Sequence, residues 1–192
     1  MFAELLQKRI SSIAELSTTQ LHQLEEHYNL LIKWNKVLNL TSLHNVESIV
    51  ERHYCESIFL AVHLPAGTLT IGDVGSGAGF PGIPVAIVRP DCKVSLMESH
   101  QRKSVFLREA TRDLKNVQVL AKRVENVNVR FDWAVCRGVR FLEIEEPLSL
   151  ISKCAAVLGT EQTPGARFTW NKPIQLRWGH QRYLWMGTPH ST

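Results

Sequence analysis

The feature that constrains this chain most is a glycine-rich stretch that directly follows an apolar run. Residues 70–82 read T-I-G-D-V-G-S-G-A-G-F-P-G, so the apolar run ends at Val74 and glycine recurs at Gly75, Gly77 and Gly79. Glycine adopts backbone conformations that other residues avoid and lets a ligand approach the main chain closely. The stretch therefore predicts a buried strand, then a backbone cradle for a ligand, and then a helix.

A carboxylate follows at the distance that is typical of nucleoside-binding folds. Glu98 ends a second apolar run, V-S-L-M at residues 94–97, roughly twenty residues after the glycines. In such folds the acidic residue at this place accepts hydrogen bonds from ribose hydroxyls. The glycines and Glu98 together predict a cofactor that contains adenosine.

The register of the glycines indicates which adenosine cofactor fits. The run G-A-G-F-P-G from Gly77 also satisfies the dinucleotide fingerprint in a shifted frame. In that frame a pyrophosphate would lie at the next helix N-terminus, where Phe80 crowds it and Pro81 has no N–H to donate. With the tight turn at Gly75 the pattern favours S-adenosylmethionine, which carries no phosphate. Tight packing without a ligand is the alternative role for these glycines.

Composition limits the size and the class of the protein. The chain has 192 residues and is 44% hydrophobic, which suffices for one main domain. Its cysteines lack Cys-x-x-Cys spacing, its histidines lack metal-ligand spacing, and no secretory leader or apolar stretch of roughly twenty residues is present. We therefore expect a cytoplasmic protein without a metal site or a membrane span. Nothing in the sequence requires more than a monomer.

The chain divides into two parts of different character. Apolar residues recur every three or four positions through residues 21–38, as on the buried face of a helix. From residue 68 onward short apolar runs alternate with helical stretches, as in β-α-β units. We expect an N-terminal helical extension over residues 1–65 and a Rossmann-like α/β core, with a mostly parallel sheet and a C-terminal hairpin, over residues 66–192.

The alternation predicts parallel strands that bring their ends together. These strands are expected over residues 68–74, 93–98, 117–121 and 131–137, with helices from Pro81, from Gln101 and across residues 142–158. Segments 167–172 and 182–186 are expected to add a final pair of strands. Because parallel strands place their carboxyl ends along one edge, the glycine loop, Glu98, residues 123–125 and Arg137 are expected to gather at one crevice.

Basic and aromatic residues alternate near the C-terminus. The net charge is +4, and no acidic residue follows Glu161, whereas Trp170, Lys172, Arg182 and Trp185 do. This mixture suits nucleic acid. The same pattern also fits a hairpin whose rings face inward and whose basic side chains face solvent.

Several further motifs accompany the glycine stretch in order. They are W-N-K from Trp34, N-L-T-S from Asn39, R-H from Arg52, E-S from Glu56, D-V-G-S-G-A-G-F-P-G-I-P from Asp73, E-S from Glu98, K with F-L from Lys103, and R-V-E from Arg123. Together they closely resemble the bacterial small-subunit ribosomal RNA guanine-N7 methyltransferases, a family also called glucose-inhibited division protein B. The resemblance covers most of the chain.

The resemblance implies a class I methyltransferase fold with an N-terminal helical extension. It implies methyl transfer from S-adenosylmethionine to N7 of a guanine in 16S ribosomal RNA, presented as RNA or as the small ribosomal subunit. It places Gly75 and Phe80 in the cofactor pocket and Val124 and Glu125 near the adenine. Arg137 corresponds to the arginine that follows the family's fourth strand. It is counted among the cofactor-binding candidates, together with Gly75, Gly77, Gly79, Phe80, Glu98, Val124 and Glu125.

Guanine N7 has an exposed lone pair and loses no proton on methylation, so no general base is needed. We accordingly assign no proton-transfer residue and take Arg137 as a positioning candidate that contacts phosphate or O6. An ion pair with Asp132 or with a neighbouring glutamate is the structural alternative for Arg137. The further candidates for RNA contact are Lys103, Arg123 and Lys172.

Two departures from the family pattern keep other functions open. Cys136 and Gly138 flank Arg137 where the family usually has serine and alanine, and the segment around residues 169–172 replaces an apolar strand in a shortened tail. The sequence alone therefore does not establish that the tail closes the sheet or docks RNA. The alternatives are an S-adenosylmethionine methyltransferase with a protein or small-molecule acceptor, and a cofactor-binding module without catalysis.

Overall fold

The apolar run before the glycines forms a strand near the middle of an eight-stranded sheet. The computed structural model describes residues 1–190. The strands are β1 (Thr70–Val74), β2 (Lys93–Met97), β3 (Val117–Leu120), β4 (Phe131–Arg137), β5 (Ser152–Gly159), β6 (Phe168–Trp170), β7 (Ile174–Gln175) and β8 (Tyr183–Pro189). The spatial order is β3-β2-β1-β4-β5-β8-β6, and β7 also pairs with β8. The first five of these are parallel, and β8 runs antiparallel to β5.

Helices cover both faces of the sheet. They are α1 (Phe2–Ile10), α2 (Thr18–Leu38), α3 (Val46–Ile49), a π-helical turn (Val50–Cys55), α4 (Glu56–His63), α5 (Gly82–Val88), α6 (Gln101–Ala110) and α7 (Phe141–Ile151). Successive residues of a strand face opposite sides, so Val135 packs with the N-terminal helices while Ala134 and Cys136 pack with α7. The strands are thus buried on both sides, as in other parallel sheets.

The N-terminal helices are fixed to the sheet layer by specific contacts. Ser17 and Gln20 form a capping box at the start of α2, in which each side chain bonds the other's backbone N–H. The Gln20 amide also donates to the carbonyl of Ile87 in α5, at 3.0 Å. Helix α2 therefore lies across α5 and α6, next to the glycine loop. The division of the chain between residues 65 and 66 stays a prediction.

The four predicted parallel strands are found close to their expected bounds, but the helix predicted over residues 142–158 is wrong in its second half. Helix α7 ends at Ile151, and the following residues form β5 between β4 and β8. Ala155 and Val157 pack on one face of β5, and Ala156 and Leu158 pack on the other. A strand buried on both faces has a continuous apolar run, which sequence periodicity alone does not separate from a helix.

The C-terminal segment completes the sheet. The predicted final pair of strands is confirmed as β6 and β8, and β8 pairs along β5 from Tyr183 to Gly187. Pro173 interrupts the outer edge between β6 and β7, as expected of a residue without a backbone N–H. Trp178 and Trp185 are buried, so these rings serve the core. Within residues 1–190, no helix has both the length and the apolar character needed to cross a membrane.

Candidate functional site

The glycine loop leaves β1 with three residues in the left-handed region. The φ angles of Gly75, Gly77 and Gly79 are +71°, +55° and +87°. A Cβ added at Gly75 or at Gly79 would collide with Val139 or Ile83, whereas one added at Gly77 would meet only a backbone oxygen at 3.8 Å. Glycine at 75 and 79 is therefore required by packing as well as conformation. At Gly77 the loop presents bare backbone to open space.

Glu98 is bonded directly to this loop. Its Oε2 accepts the backbone N–H of Gly77 at 3.0 Å, and its Oε1 accepts the N–H of His100 at 2.8 Å. A carboxylate oxygen has more than one lone pair, so Glu98 can hold the loop and still accept hydroxyl donors. The structure thus brings together the two features that the sequence separates by about twenty residues.

Asp73 lies beneath the loop and was missed as a site residue. Its Oδ2 accepts the N–H of Gly82 at 3.0 Å, while its buried Oδ1 has no hydrogen-bond partner among residues 1–190. Burial raises the pKa of Asp73 to about 7, against the hydrogen bond from Gly82. The sequence signal was an acidic residue at the end of an apolar strand. An unpartnered buried oxygen at this place fits a loop built to hold a polar ligand.

His27 supports the loop from the side of α2. Its Nε2 lies 3.0 Å from the carbonyl of Ala78, and its Nδ1 lies 2.9 Å from the Tyr54 hydroxyl. Burial lowers the pKa of His27 to about 4, so the ring is neutral at physiological pH. Because a carbonyl only accepts, Nε2 carries the proton and Nδ1 accepts from Tyr54. Neither residue was recognised from the sequence, in which both lie on apolar helix faces.

Phe80 anchors the same loop to the N-terminal helices. Its ring is buried, stacks on His53 at 4.5 Å between centroids, and meets Tyr54 edge-on at 5.0 Å. The Phe80 side chain therefore packs inward, and its backbone N–H donates to the carbonyl of Ser76 at 3.1 Å. The cofactor contact of Phe80 stays a prediction. His53 is a buried core histidine that bonds the Thr41 hydroxyl at 2.7 Å.

The segment after β3 places one predicted residue in the core and two at the surface. Val124 is buried and belongs to the same apolar cluster as Val74 and Met97, the last residues of β1 and β2. Arg123 and Glu125 are exposed on either side of it.

A cluster of arginines surrounds one buried carboxylate at the end of β4. Arg137 does not pair with Asp132, which is bound by Lys153. The Nε of Arg137 instead donates to Glu56 Oε2 at 3.2 Å. Arg182 donates from Nε and Nη2 to the two oxygens of Glu56, at 3.1 and 2.8 Å. Arg52 Nε lies 3.3 Å from Glu56 Oε1. We name these four residues the Glu56 cluster; of them only Arg137 was a predicted site residue.

An open cavity of about 550 Å³ lies at the carboxyl ends of β4 and β5. Arg137, Val139, Phe141, Leu142 and Arg182 contribute to its lining. Because Val139 also faces Gly75, the cavity adjoins the glycine loop. A slightly larger cavity, of about 600 Å³, lies between α2 and α6, away from the strand ends where ligands of such folds bind.

The remaining candidates are spread more widely. Lys103 is half-buried in the first turn of α6, just after Glu98. Lys172 is exposed between β6 and β7 on the outer edge of the sheet. The structure therefore gathers the glycine loop, Glu98 and Arg137 at one edge but leaves Lys172 apart. Residues 1–190 contain no group of three His, Cys, Asp or Glu side chains placed to hold a metal ion.

Residues 20–155 match the model of one protein family, rRNA small subunit methyltransferase G (GidB). The chain belongs to this family. It is 41% identical over 152 residues to the ribosomal RNA small subunit methyltransferase G of Chromobacterium violaceum, covering 77% of this chain and 71% of that protein. The protein of the same name from Nitrosomonas europaea is 39% identical over 151 residues, covering 73% and 70%.

Solved structures confirm the class I methyltransferase fold. A methyltransferase from Pyrococcus furiosus superposes with a TM-score of 0.62 at 12% identity, covering 87% of this chain and 98% of its own. The magnesium protoporphyrin IX methyltransferase of Synechocystis PCC 6803, solved with bound S-adenosylmethionine, gives 0.61 at 11%, covering 92% and 99%. The segment matched by the family contains the glycine loop, Glu98, Glu56 and Arg137, whereas Arg182 lies beyond its end.

Proposed function

We propose that this protein transfers the methyl group of S-adenosylmethionine to N7 of a guanine in 16S ribosomal RNA. The observation that carries the proposal is the convergence of the glycine loop, Glu98 and Arg137 at one sheet edge, all within the segment that matches the family. The relatives named above support ribosomal RNA of the small subunit as the acceptor.

The residues at the loop fit the cofactor. S-adenosylmethionine, when bound, supplies an electrophilic methyl group on a sulfonium. We assign its amino-acid part to the main chain of Gly75, Gly77 and Gly79 and its ribose hydroxyls to Glu98. The backbone of Phe80, with Val124 and Glu125, lines the remainder, and Val124 supplies the apolar contact for the adenine. The open space at Gly77 and the free lone pairs of Glu98 support this assignment.

The reaction requires the protein to position the reactants and does not require it to transfer a proton. Guanine N7 attacks through its own lone pair and releases no proton, so the chain needs no general base. Holding two reactants in line is worth roughly 7 to 11 kcal/mol of the barrier. The firm anchoring of the loop by Glu98, Asp73 and His27 is the kind of support that such positioning requires.

We assign the acceptor guanine to the cavity at the ends of β4 and β5. N7 lies on the major-groove edge, which side chains do not reach in A-form RNA, so the target base is unpaired or lies at an open junction. The methylated base gains positive charge, so Arg137 serves by contacting phosphate or O6 rather than N7. Lys103, Arg123 and Lys172 are assigned to the RNA backbone further out.

The proposed partner is the 16S RNA, naked or within the small ribosomal subunit, and the site of action is the cytoplasm, where that RNA lies. We propose a monomer. The closure of the sheet by β8 supports a complete core rather than a cofactor-binding module disabled by its tail.

The test is a methylation assay with labelled S-adenosylmethionine, offered unmethylated small subunits and naked 16S RNA in parallel. We expect label at a single guanine, identified as N7-methylated by chain cleavage after borohydride and aniline treatment. Label on ribosomal protein would instead support a different acceptor. Cofactor binding by calorimetry without any label would support the binding module.

A further inference from the structure

The motifs W-N-K and N-L-T-S lie outside the glycine loop, and the structure joins them in one turn. Helix α2 ends at Leu38, and Asn39 takes the left-handed conformation that often follows a helix, with a φ of +48°. The Asn35 side chain closes the turn, because its Nδ2 donates to the carbonyl of Thr41 at 3.0 Å and its Oδ1 accepts the N–H of Thr41 at 2.8 Å. We name residues 36–45 the α2 turn.

The α2 turn is fastened to the glycine loop through His53. The Thr41 hydroxyl lies 2.7 Å from Nε2 of His53 and accepts the N–H of Leu43 at 3.1 Å. The His53 ring in turn stacks on Phe80 of the loop, at 4.5 Å between centroids. Burial lowers the pKa of His53 to about 2, so this link is neutral at physiological pH. A single side chain therefore separates the α2 turn from the loop that we assign to the cofactor.

The direction of α2 carries its end beyond the carboxyl ends of the strands. The Gln20 amide bonds the carbonyl of Ile87, near the end of α5. About two turns further along α2, His27 meets the carbonyl of Ala78, in the loop that precedes α5. Helices α2 and α5 are therefore antiparallel, and the last turns of α2, about three in number, extend past the loop. The α2 turn thus forms a wall at the open edge of the crevice.

Helices α2 and α6 pack against each other and separate their charges along their length. Trp34 meets Phe106 edge-on, at 5.9 Å between ring centroids. Residues 27–46, which contain the end of α2, include no Asp or Glu, and neither do residues 99–108, which contain the start of α6. The acidic residues of these helices are confined to the first half of α2 and the last turn of α6; they are Glu25, Glu26 and Glu109.

The end of α2 and the start of α6 are left with positive charge alone. Lys36 and Arg102 are exposed, and Lys103 is half-buried. Within residues 1–190, none of these three side chains forms an ion pair. Cations gathered on adjacent segments without acids repel one another, whereas a polyanion beside them would release counterions and bind. Because both segments border the crevice, the phosphate backbone of the substrate RNA is the ligand that complements them.

We propose that the α2 turn and the first turn of α6 form one docking surface for the phosphate backbone of the ribosomal RNA, beside the guanine that is methylated. The inference rests on the proposed function and extends it from single basic side chains to a surface. Lys36 is the contact that it adds, and Arg102 and Lys103 complete the surface from α6. Asn35, Thr41 and His53 are positioning residues, since they hold the turn rather than the RNA.

The fixed backbone of the turn lowers the cost of binding. A loop that becomes ordered only on association reduces affinity, whereas the bonds of Asn35 and Thr41 already order this one in the free protein. Asn39 and Ser42 are exposed in the turn and carry polar side chains. Such side chains and backbone N–H groups commonly donate to phosphate oxygens and so set the register of a protein on nucleic acid.

The first experiment compares Lys36→Gln and Lys36→Arg with the control Lys93→Gln. Lys93 is exposed at the start of β2, on the opposite edge of the sheet, so this control removes the same charge away from the crevice. Lys36→Gln is expected to weaken binding of 16S RNA and to raise the KM for small subunits by about threefold or more, and to lower the slope of log K against log salt by about one. Lys36→Arg is expected to keep the salt slope, and Lys93→Gln to change neither quantity. Thermal unfolding confirms that each variant is folded.

The second experiment tests the fastening of the turn. Thr41→Val removes the hydroxyl that bonds His53 and Leu43, whereas Thr41→Ser keeps it. Thr41→Val is expected to raise the KM for small subunits while kcat and the Kd for S-adenosylmethionine stay near the parent values, and Thr41→Ser is expected to restore the KM. An equal loss of cofactor affinity in Thr41→Val would assign the fastening to the cofactor loop and overturn its role in RNA binding. If Thr41→Val does not fold, the Lys36 variants carry the test.

The outcomes separate this inference from the function on which it rests. An active parent whose Lys36→Gln variant keeps the parent's RNA affinity and salt slope overturns the inference and leaves the proposed function standing. Weaker activity on small subunits with unchanged affinity for naked 16S RNA would assign the surface to a ribosomal protein and overturn the inference as well. A parent that labels no ribosomal RNA overturns the proposed function and the inference together.

Discussion

The Gly77→Ala substitution tests whether the glycine loop binds the cofactor, because its effect on stability and its effect on cofactor affinity can be measured separately. Gly77 has a φ of +55°, and a Cβ there would meet no atom closer than 3.8 Å. Gly77→Ala therefore incurs only the left-handed backbone cost, about 1–2 kcal/mol, and no clash. For a domain of this size that loss lowers Tm by about 2–4 °C per kcal/mol.

The same methyl group occupies the space that we assign to the cofactor, so affinity is expected to fall at least tenfold. With S-adenosylmethionine at 100 times the parent Kd, binding stabilises the parent by about 2.7 kcal/mol; a tenfold weaker Kd leaves about 1.4 kcal/mol. The ligand-induced rise in Tm is therefore expected to fall to about half in Gly77→Ala and to vanish in Gly77→Val. Calorimetry gives the affinities directly.

Gly67→Ala is the matched control. Gly67 also has a positive φ, +97°, and open space around a Cβ, but it lies before β1 and away from the crevice. It is expected to lose similar stability and to bind cofactor like the parent. Parent-like affinity in Gly77→Ala, or an equal loss of affinity in Gly67→Ala, would refute the cofactor assignment of the loop.

Three further predictions concern the supports of the site. Arg137→Ala is expected to keep most of the S-adenosylmethionine affinity and to lose methyl transfer; calorimetry beside the labelling assay checks this, and a matching loss of both would place Arg137 at the cofactor. Asp73 has a folded pKa of about 7, above its usual 3.8, so the folded state holds a proton that the unfolded state releases and stability declines as pH rises from about 4 to about 7. Asp73→Asn is expected to remove that decline in urea titrations at several pH values, and a parent whose stability rises over this range would contradict the reasoning. His27→Phe leaves the Ala78 carbonyl and the Tyr54 hydroxyl unpaired, so the free energy of unfolding is expected to fall by about 2 kcal/mol or more in denaturant titration, with a smaller fall for Tyr54→Phe.

The parallel strands could be predicted because each apolar run is short and bounded by turn residues. The place of Glu98 could be predicted too, since topology alone puts the ends of β1 and β2 side by side. The second half of the predicted helix at 142–158 was wrong because β5 is buried on both faces and shows no alternation. Local signals such as turn residues can therefore be read from the sequence, whereas burial of a strand on both faces cannot.

The Glu56 cluster could not be predicted, and the reason is distance along the chain. Arg137 is 81 residues from Glu56, and Arg182 is 126 residues from it. No local pattern links an acid in a helix to arginines near two strand ends, so only the fold reveals that they share one carboxylate. Asp132, the acid nearest to Arg137 in sequence, is instead bound by Lys153 on the neighbouring strand.

The N-terminal helices belong to the site rather than merely covering the sheet. His27 on α2 holds the glycine loop through Ala78, and Phe80 of that loop stacks on His53 in the π-helical turn. Glu56 follows that turn directly and binds Arg137 and Arg182. Two residues only three positions apart therefore contact the cofactor loop, through His53, and the arginine proposed to contact RNA, through Glu56. Because the transfer needs both reactants held in line, fixing both sides of the site to one short helical segment is what the proposed chemistry requires of the fold.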